Sequence, residues 1–286
     1  MKLFIAITSG APHTTQRIIE ELESLSIPYT LFNPYQDCES LKIGENCIII
    51  NRVSGISYDD SDLNLYMDNQ NYIVYNDPKY SRIFRDKFKQ YSYFIKSKIS
   101  TIPSCSLEGI YKDKIDVFIN QNSNDRFLIK PLRSNQAQGI ITPLNLKDEI
   151  VRIKNSNDQR YILQPFLQKR REWRVLVINK VVVAIMEKTS RHGVFSILNC
   201  ANSDIRLVAK EDIKPELTKL INQCIVEIPL FIFAIDILED LKEEYKVIEV
   251  NNIPGLKFVE EVSGINIAKL FIEQLLMDQQ QKTSVN

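Results

Sequence analysis

The stretch Phe231-Ile-Phe-Ala-Ile-Asp236-Ile237, then, after a charged turn, Lys246-Val-Ile-Glu249-Val250-Asn251-Asn252-Ile253-Pro254-Gly255 carries the first reading of the chain. Both runs are apolar and β-branched, and the Glu-Asp-Leu-Lys-Glu-Glu segment between them (239–244) is too polar for a core, so the pattern predicts a β-hairpin. Side chains alternate across a strand, which puts Glu249 and Asn251 on one face. A symmetric turn places Asp236 opposite Glu249, gathering two carboxylates and an amide oxygen where a strand pair would otherwise present apolar groups. Carboxylates left unpaired there are costly. A hard divalent cation removes that cost, because Mg²⁺ takes one or two protein carboxylates and fills its remaining positions with water and phosphate oxygens. The stretch therefore predicts a site for a metal nucleotide.

The surrounding residues resemble a known family. Asp236, Glu249-Val250-Asn251, Pro254-Gly255-Leu256 and Ser263-Gly264-Ile265-Asn266-Ile267-Ala268 look like the C-terminal signature of ATP-grasp enzymes, and most resemble the ribosomal protein S6 glutamate ligase (RimK-like) branch. Arg85-Asp86-Lys87 followed by Ile102-Pro103 is similar to the same branch at the entry to its nucleotide domain. The resemblance implies an α/β chain with α+β lobes: an ATP-grasp fold preceded by a small parallel-sheet domain. It implies boundaries at 1–77, 78–165 and 166–286, and an ATP- and Mg²⁺-dependent carboxylate–amine ligase, with Mn²⁺ as an alternative ion.

Composition is consistent with that scale. The 286 residues, 44% hydrophobic and 25% charged, suffice for two or three compact lobes. Lys plus Arg equals Asp plus Glu at 36 each, so no global charge points to nucleic acid or a membrane surface as the main partner. Five cysteines without a Cys-x-x-Cys pair read as reduced thiols. The opening run Met1-Lys-Leu-Phe-Ile-Ala-Ile7 is too short for a signal-peptide core and reads as a strand, and no stretch approaches the ~18 apolar residues of a membrane span, so the expected location is cytoplasmic. Two histidines, His13 and His192, leave no room for a histidine triad or a multi-histidine metal site.

The first ~77 residues alternate in the α/β manner, with strands at 3–8, 29–32, 47–51 and 72–75 and a helix around 14–25. The ligand edge of such a sheet lies at its strands' C-terminal ends, where Asn51 and Arg52 fall. Asn76-Asp77-Pro78 initiates a turn. The basic segment Lys79 to Lys98, net charge about +6, has apolar residues at helical spacing and reads as one helix. Strands and short helices alternate through 127–130, 139–142, 147–153 and 161–164. Strands 172–178 and 181–187 form a hairpin on Asn179-Lys180, and a helix covers 215–228. The last helix is expected over 265–277, with the polar tail from Asp278 frayed.

By resemblance, Lys87 and Lys130 are the phosphate lysines. Lys130 ends the strand Phe127-Leu-Ile-Lys130, from which its stem can pack while its charge reaches phosphate. The family's glycine-rich loop is here Pro131-Leu-Arg133-Ser134-Asn135-Gln136-Ala137-Gln138-Gly139, with one glycine. Tyr161-Ile-Leu-Gln164-Pro165-Phe166-Leu167 corresponds to the connector that receives adenine; Pro165 replaces an acidic residue and removes a donor. In Lys169-Arg170-Arg171-Glu172-Trp173-Arg174, alternation puts Glu172 and Arg174 on one face. The resemblance gives Glu172 the ribose hydroxyls and Arg174 the transferring phosphate; a plain Glu172–Arg174 pair is the competing reading. The family's Arg-Ser-Asn run is absent from 190–199, where Arg191 or Asn199 would replace it, and Arg52 is a candidate grip on a substrate carboxylate. The implied partners are a small-molecule or peptide carboxylate and an amine. Two other readings stay open: a kinase with a hydroxyl acceptor, and a non-catalytic scaffold using the basic helix to bind nucleic acid or an acidic partner, the latter disfavoured.

Overall fold

A computed structural model describes residues 2–6, 13–34, 47–53, 72–108, 112–122, 126–134, 138–156, 160–190 and 203–284. Three sheets organise them. The first is parallel, with strands β1 (Lys2–Ala6), β2 (Tyr29–Phe32), β3 (Cys47–Asn51) and β4 (Tyr72–Tyr75) in the order β2-β1-β3-β4, and helix α1 (His13–Ser24) after β1. Its β-branched runs, such as fully buried Ile48 to Ile50, suit strands covered on both faces. Asn76, with φ +56°, closes this unit. Its side chain donates to the carbonyls of Ile232 (2.7 Å) and Asn252 (2.5 Å) and accepts from the amides of Phe231 (2.9 Å) and Ile232 (3.0 Å). One short polar side chain thus ties the end of the parallel sheet to the strands that carry the candidate metal ligands.

The basic segment expected as one helix is two: α2 (Pro78–Phe84) and α3 (Lys87–Lys96). Asp86 makes the break. Its carboxylate caps α3 by accepting from the amides of Phe88 (2.9 Å) and Lys89 (3.0 Å), and the break falls within the continuous apolar stripe. Of the expected stripe Phe84, Phe88, Tyr91 and Ile95, only Phe84 is core: Phe88 and Tyr91 are half-buried and Ile95 is exposed, because the break at Asp86 resets the helix and turns Phe94 inward instead.

The second sheet is three-stranded and antiparallel, β5 (Cys105–Ser106), β7 (Tyr161–Pro165) and β6 (Phe127–Pro131) in that order, packed with α4 (Lys112–Gln121) and α5 (Leu146–Asn155) around Leu107, Ile115, Ile129, Ile150 and Leu163. The strand expected over 139–142 reduces to a single bridge between Ile141 and Ile129.

The third sheet is antiparallel and five-stranded, with β8 (Lys169–Ile178), β9 (Val181–Ser190), β10 (Ser203–Leu207), β11 (Ile232–Asp240) and β12 (Tyr245–Asn251) in the order β10-β9-β8-β11-β12. Asn179 and Lys180 join β8 to β9 with φ +47° and +64°, the left-handed pair of a type I′ turn. The back face packs on α2, α3 and α6 (Pro215–Glu227) through Trp173, Val175, Phe233, Ile235, Leu217 and Ile221. The front face changes character along the strands. Leu176, Ile178, Ile232 and Ala234 pack with the parallel sheet, α7 (Lys257–Ser263) and α8 (Ile267–Ser284), whereas Glu172, Arg174 and Asp236 at the other end are charged.

Helix α8 does not stop near Met277. The polar tail stays helical to Ser284, and its last turns dock on β4: Asp278 accepts from the Tyr75 hydroxyl (2.5 Å) and pairs with Lys282 (2.6 Å). Among the described residues no helix is long and apolar enough to cross a membrane, and Cys47, Cys105 and Cys224 are free thiols.

Candidate functional site

The hairpin brings Asp236, Glu249 and Asn251 together as expected, by a means that alternation does not give. Asp236 pairs with Glu249 across β11 and β12, and a bulge follows at once, with Ile237 opposite Val247. Val247 and Val250 both lie in the back-face core, so the extra residue lets Ile248 and Glu249 both line the cleft. With strict alternation from Val247, Glu249 would point into the core.

Arg174, directly cross-strand from Asp236, holds it with two hydrogen bonds, Nε to Oδ1 at 2.8 Å and Nη2 to Oδ2 at 2.7 Å. Asn251 Nδ2 donates to the same Oδ2 at 3.1 Å. Burial alone would push the Asp236 carboxyl up; the charges of Arg174 and Lys188 and these hydrogen bonds outweigh it and hold it below the usual range. Arg174 thus pairs with Asp236, while Glu172 is taken by Lys169 at 2.6 Å. The arrangement departs from the simple Glu172–Arg174 pair that alternation allows.

Above this face stand the two lysines. Lys87 lies 3.9 Å from Glu249 and donates to the carbonyl (3.3 Å) and hydroxyl (3.2 Å) of Ser134, so it joins α3 to the start of the loop after β6. Lys130 is buried, and burial lowers its pKa to about 8; Glu249 and Glu172 pull it back up, while Lys87 and Lys169 push it further down. Both lysines line a small pocket with Ile162, Gln164, Ile248 and Glu249. Buried Gln164 donates to Ser104 at 2.6 Å, and its Oε1 has no hydrogen-bond partner among the described residues. Phe166 and Leu167 follow on the connector, half-buried, with the Phe166 amide already committed to the Arg126 carbonyl (2.6 Å). Gln90 fixes α3 to the ligand strand: it donates to the Phe84 carbonyl at 2.9 Å and accepts from the Val250 amide, next to Glu249, at 2.8 Å.

Arg52 sits at the ligand edge of the parallel sheet. It is buried and donates through Nη2 to the carbonyl of Pro254, just beyond β12, at 3.2 Å; its Nε has no hydrogen-bond partner among the described residues. Burial lowers its pKa to about 10. Arg191 and Asn199 lie outside the described residues. The structure therefore brings Lys87, Lys130, Gln164, Glu172, Arg174, Asp236, Glu249 and Asn251 to one cleft between the second and third sheets, with Arg52 at the loop after β12. The sequence offers no role for Lys169, Lys188 or Gln90, and it shows Asn76 only as the start of a turn. The partners of Lys188, Gln90 and Asn76 lie on other elements or other strands, while Lys169 and Glu172, three apart in one strand, would fall on opposite faces under strict alternation.

The donors suit a divalent cation: two carboxylates and an amide, on adjacent strands, all within one polar patch. Arg174 now spans both oxygens of Asp236, so a cation taking Asp236 would displace at least one of those bonds.

Comparison with known proteins identifies the family and the fold. Residues 84–275 match the family model of the RimK-like ATP-grasp domain. A probable alpha-L-glutamate ligase of Haemophilus influenzae is 28% identical over 196 residues, 67% of this chain and 62% of that protein. The chain thus spans less than two thirds of the length of this curated relative. Among solved structures, the D-cycloserine synthetase DcsG superposes with a TM-score of 0.71 at 12% identity, over 96% of this chain and 98% of that one. The ATP-grasp ligase PsnB, complexed with a phosphomimetic variant of its minimal precursor, Mg and ADP, gives 0.67 at 16% identity, over 96% and 98%. At these identities the structural likeness is one of fold.

Proposed function

The chain belongs to the RimK-like ATP-grasp family, and on that premise we propose that it is an ATP- and Mg²⁺-dependent carboxylate–amine ligase working through an acyl phosphate. The observation that carries the reading is the opposition of Asp236 and Glu249 across two strands, with Asn251 and Arg174 on the same face and Lys87 and Lys130 above it. In this reading the parallel sheet, the three-stranded sheet and the five-stranded sheet are the cores of three lobes, divided near residues 77 and 165.

Asp236, Glu249 and Asn251 would hold the metal, whose charge offsets that of the phosphate oxygens. Lys87 and Lys130 bind the phosphates as point charges. Gln164, Phe166 and Leu167 border the base, with Ile162 and Ile248 against its faces; the free Oε1 of Gln164 is an acceptor of the kind an exocyclic amine needs. Glu172 accepts from the ribose while Lys169, bonded to it, holds its carboxylate in place. Arg174, released in part from Asp236, stabilises charge on the transferring phosphoryl group. A substrate carboxylate oxygen attacks the terminal phosphorus of ATP and ADP leaves. The amine nitrogen then attacks the acyl carbon, phosphate leaves with the bonding pair, and the nitrogen loses its proton as the amide forms. Arg52 grips the acid from the edge of the parallel sheet, and Arg191 or Asn199 would flank it. No protein nucleophile is required.

The test is ADP release against pools of acids and amines, with mass spectrometry of the product. Release that needs both a carboxylate and an amine, with an amide formed, is the expected result. ADP release with a hydroxyl acceptor and no amine, giving a phosphorylated product, would replace the ligase with a kinase.

A further inference from the structure

The apolar stripe of α3 is only partly spent on the core. Phe88 and Tyr91 stay half-buried, and their remaining surface lines a cavity of about 470 Å³ bounded by α3, the edge strand β5 and α4. Their rings, with centroids 6.0 Å apart, form one wall. Val117 and Phe118 of α4 form the other, Phe118 backed by Phe127 at 6.2 Å. Lys114 stands one turn before them and Gln121 one turn after, so four positions of one helix face are turned to the cavity while Ile115 faces the core. Ser104, Cys105 and Ser106 of the β5 segment make the floor.

Size and lining say what such a cavity takes. Its volume falls in the range of small-ligand sites, roughly 300–1,000 Å³, which are apolar and aromatic with a few polar groups that fix orientation. Among the described residues that line it there is no carboxylate, and Lys114 is the one cation. The charges of Lys114 and Lys154 both reach the Cys105 thiol on the floor, against the burial that pushes that thiol up. Buried Ser106 accepts from the Glu108 amide at 3.1 Å and donates its own O–H to no described group. Facing aromatic walls suit a flat apolar body; a lysine and a hydroxyl donor suit an anionic group on it. The sign of the charge selects an anion, and the volume selects a small molecule.

The cavity also shares a wall with the small pocket of Lys87, Lys130 and Gln164. Tyr91 lines both. Ser104, on the cavity floor, accepts from Gln164 Nε2 at 2.6 Å and donates to the Ile102 carbonyl at 3.0 Å, so a cavity hydroxyl fixes the amide whose Oε1 borders the base. We propose that the cavity between α3, β5 and α4 is a second binding site, for a small organic anion with an aromatic or otherwise flat apolar body, and that its occupant is coupled to the base through Tyr91 and the Ser104–Gln164 bond. The site stands on its own lining; the coupling rests on the nucleotide reading of the neighbouring pocket.

Calorimetry of the full chain with anilinonaphthalene sulfonate, an aromatic anion, tests it in wild type, Val117→Trp and Lys114→Glu, both exposed positions of α4, alongside thermal melts, sedimentation and MgATP titrations. Val117→Trp fills the cavity and Lys114→Glu reverses its charge; each should weaken the probe by about 10-fold or more at an unchanged melting temperature. In wild type, saturating probe should change MgATP affinity by about 5-fold or more, and MgATP should change probe affinity by the same factor without displacing it. No probe binding in wild type, equal affinity in all three proteins, or outright displacement by MgATP, which would put the probe in the nucleotide cleft, would overturn the proposal. A wild-type dimer that Val117→Trp converts to monomers would do the same, by making a second copy of the chain the occupant. MgATP affinity indifferent to bound probe refutes the coupling. Wild type that binds the probe through Val117 and Lys114 but binds no nucleotide refutes the nucleotide reading and the coupling with it, and leaves the cavity site standing.

Discussion

The two faces of the five-stranded sheet bury comparable numbers of charges and handle them in opposite ways. On the back face, Glu239 is 1% exposed and is met by the Trp173 indole N–H at 2.9 Å and by Arg171 at 3.2 Å, while Glu187 is met by Arg171 and Arg206. Every buried carboxylate there has its cation. On the front face the balance is reversed: all three carboxylates have partners, while among the described residues the Lys130 and Lys188 side chains have no hydrogen-bond or ion-pair partner. A closed network is what a sheet needs to stand on its own; an open, cationic one is what a sheet needs to receive an anion. The contrast separates charges that hold the fold from charges that await a ligand.

The sharpest way to break this comparison is to disturb the closed face. Glu239→Ala removes the carboxylate shared by Trp173 and Arg171 and should cost about 3–5 kcal/mol in urea unfolding, while nucleotide affinity of the folded protein stays as it was. A stability unchanged by Glu239→Ala would mean the back-face network is ornamental. Next in size is Asn76→Ala, which strips the side-chain bonds between the parallel sheet and β11–β12 and should cost about 2–4 kcal/mol; unfolding that remains as stable as wild type would remove Asn76 as the tie.

Smaller effects lie on the open face. Asp236 titrates below its ordinary range in the folded protein, so its contribution to stability is full above the unfolded carboxylate pKa, about 3.9, and is lost as pH falls through the folded value. In Arg174→Met burial acts on Asp236 without that counter-charge, and loss of stability should begin at a higher pH. Superimposable pH profiles of urea midpoints for the two proteins would contradict this. Lys130, with a pKa near 8, loses its proton as pH rises through that value, so MgATP affinity should weaken on the alkaline side and the trend should flatten in Lys130→Arg. A pH-independent affinity between about 7 and 9 would show that Lys130 carries no phosphate.

What could be read in advance follows the range of the interaction concerned. The Asp236–Glu249 pair on β11 and β12 was legible because period-2 alternation and residue type lie within a few positions of one another; even so, the bulge that turns Glu249 to the cleft beside Ile248 is a matter of register with the neighbouring strand. The split between α2 and α3 was written locally, in Asp86 as an N-cap, but the uninterrupted apolar stripe masked it. Helix α8 runs past Met277 and docks there because Asp278 finds Tyr75, 203 positions away, a partner that no local pattern names. Lys188 shows the same limit on the functional side. In Met186-Glu187-Lys188-Thr189 it looks like any strand lysine; alternation puts it and Glu187 on opposite faces, but only pairing with β8 shows that Lys188 takes the face of Glu172 and Arg174.

The central claim is that the open face is a metal-nucleotide site, and calorimetry of ATP binding with and without Mg²⁺, wild type against Glu249→Ala, tests it most directly. The expected result is binding that requires Mg²⁺ in wild type and is crippled by the substitution. Wild type that binds neither ATP nor any other nucleotide would contradict the account and leave an ATP-grasp scaffold without its ligand.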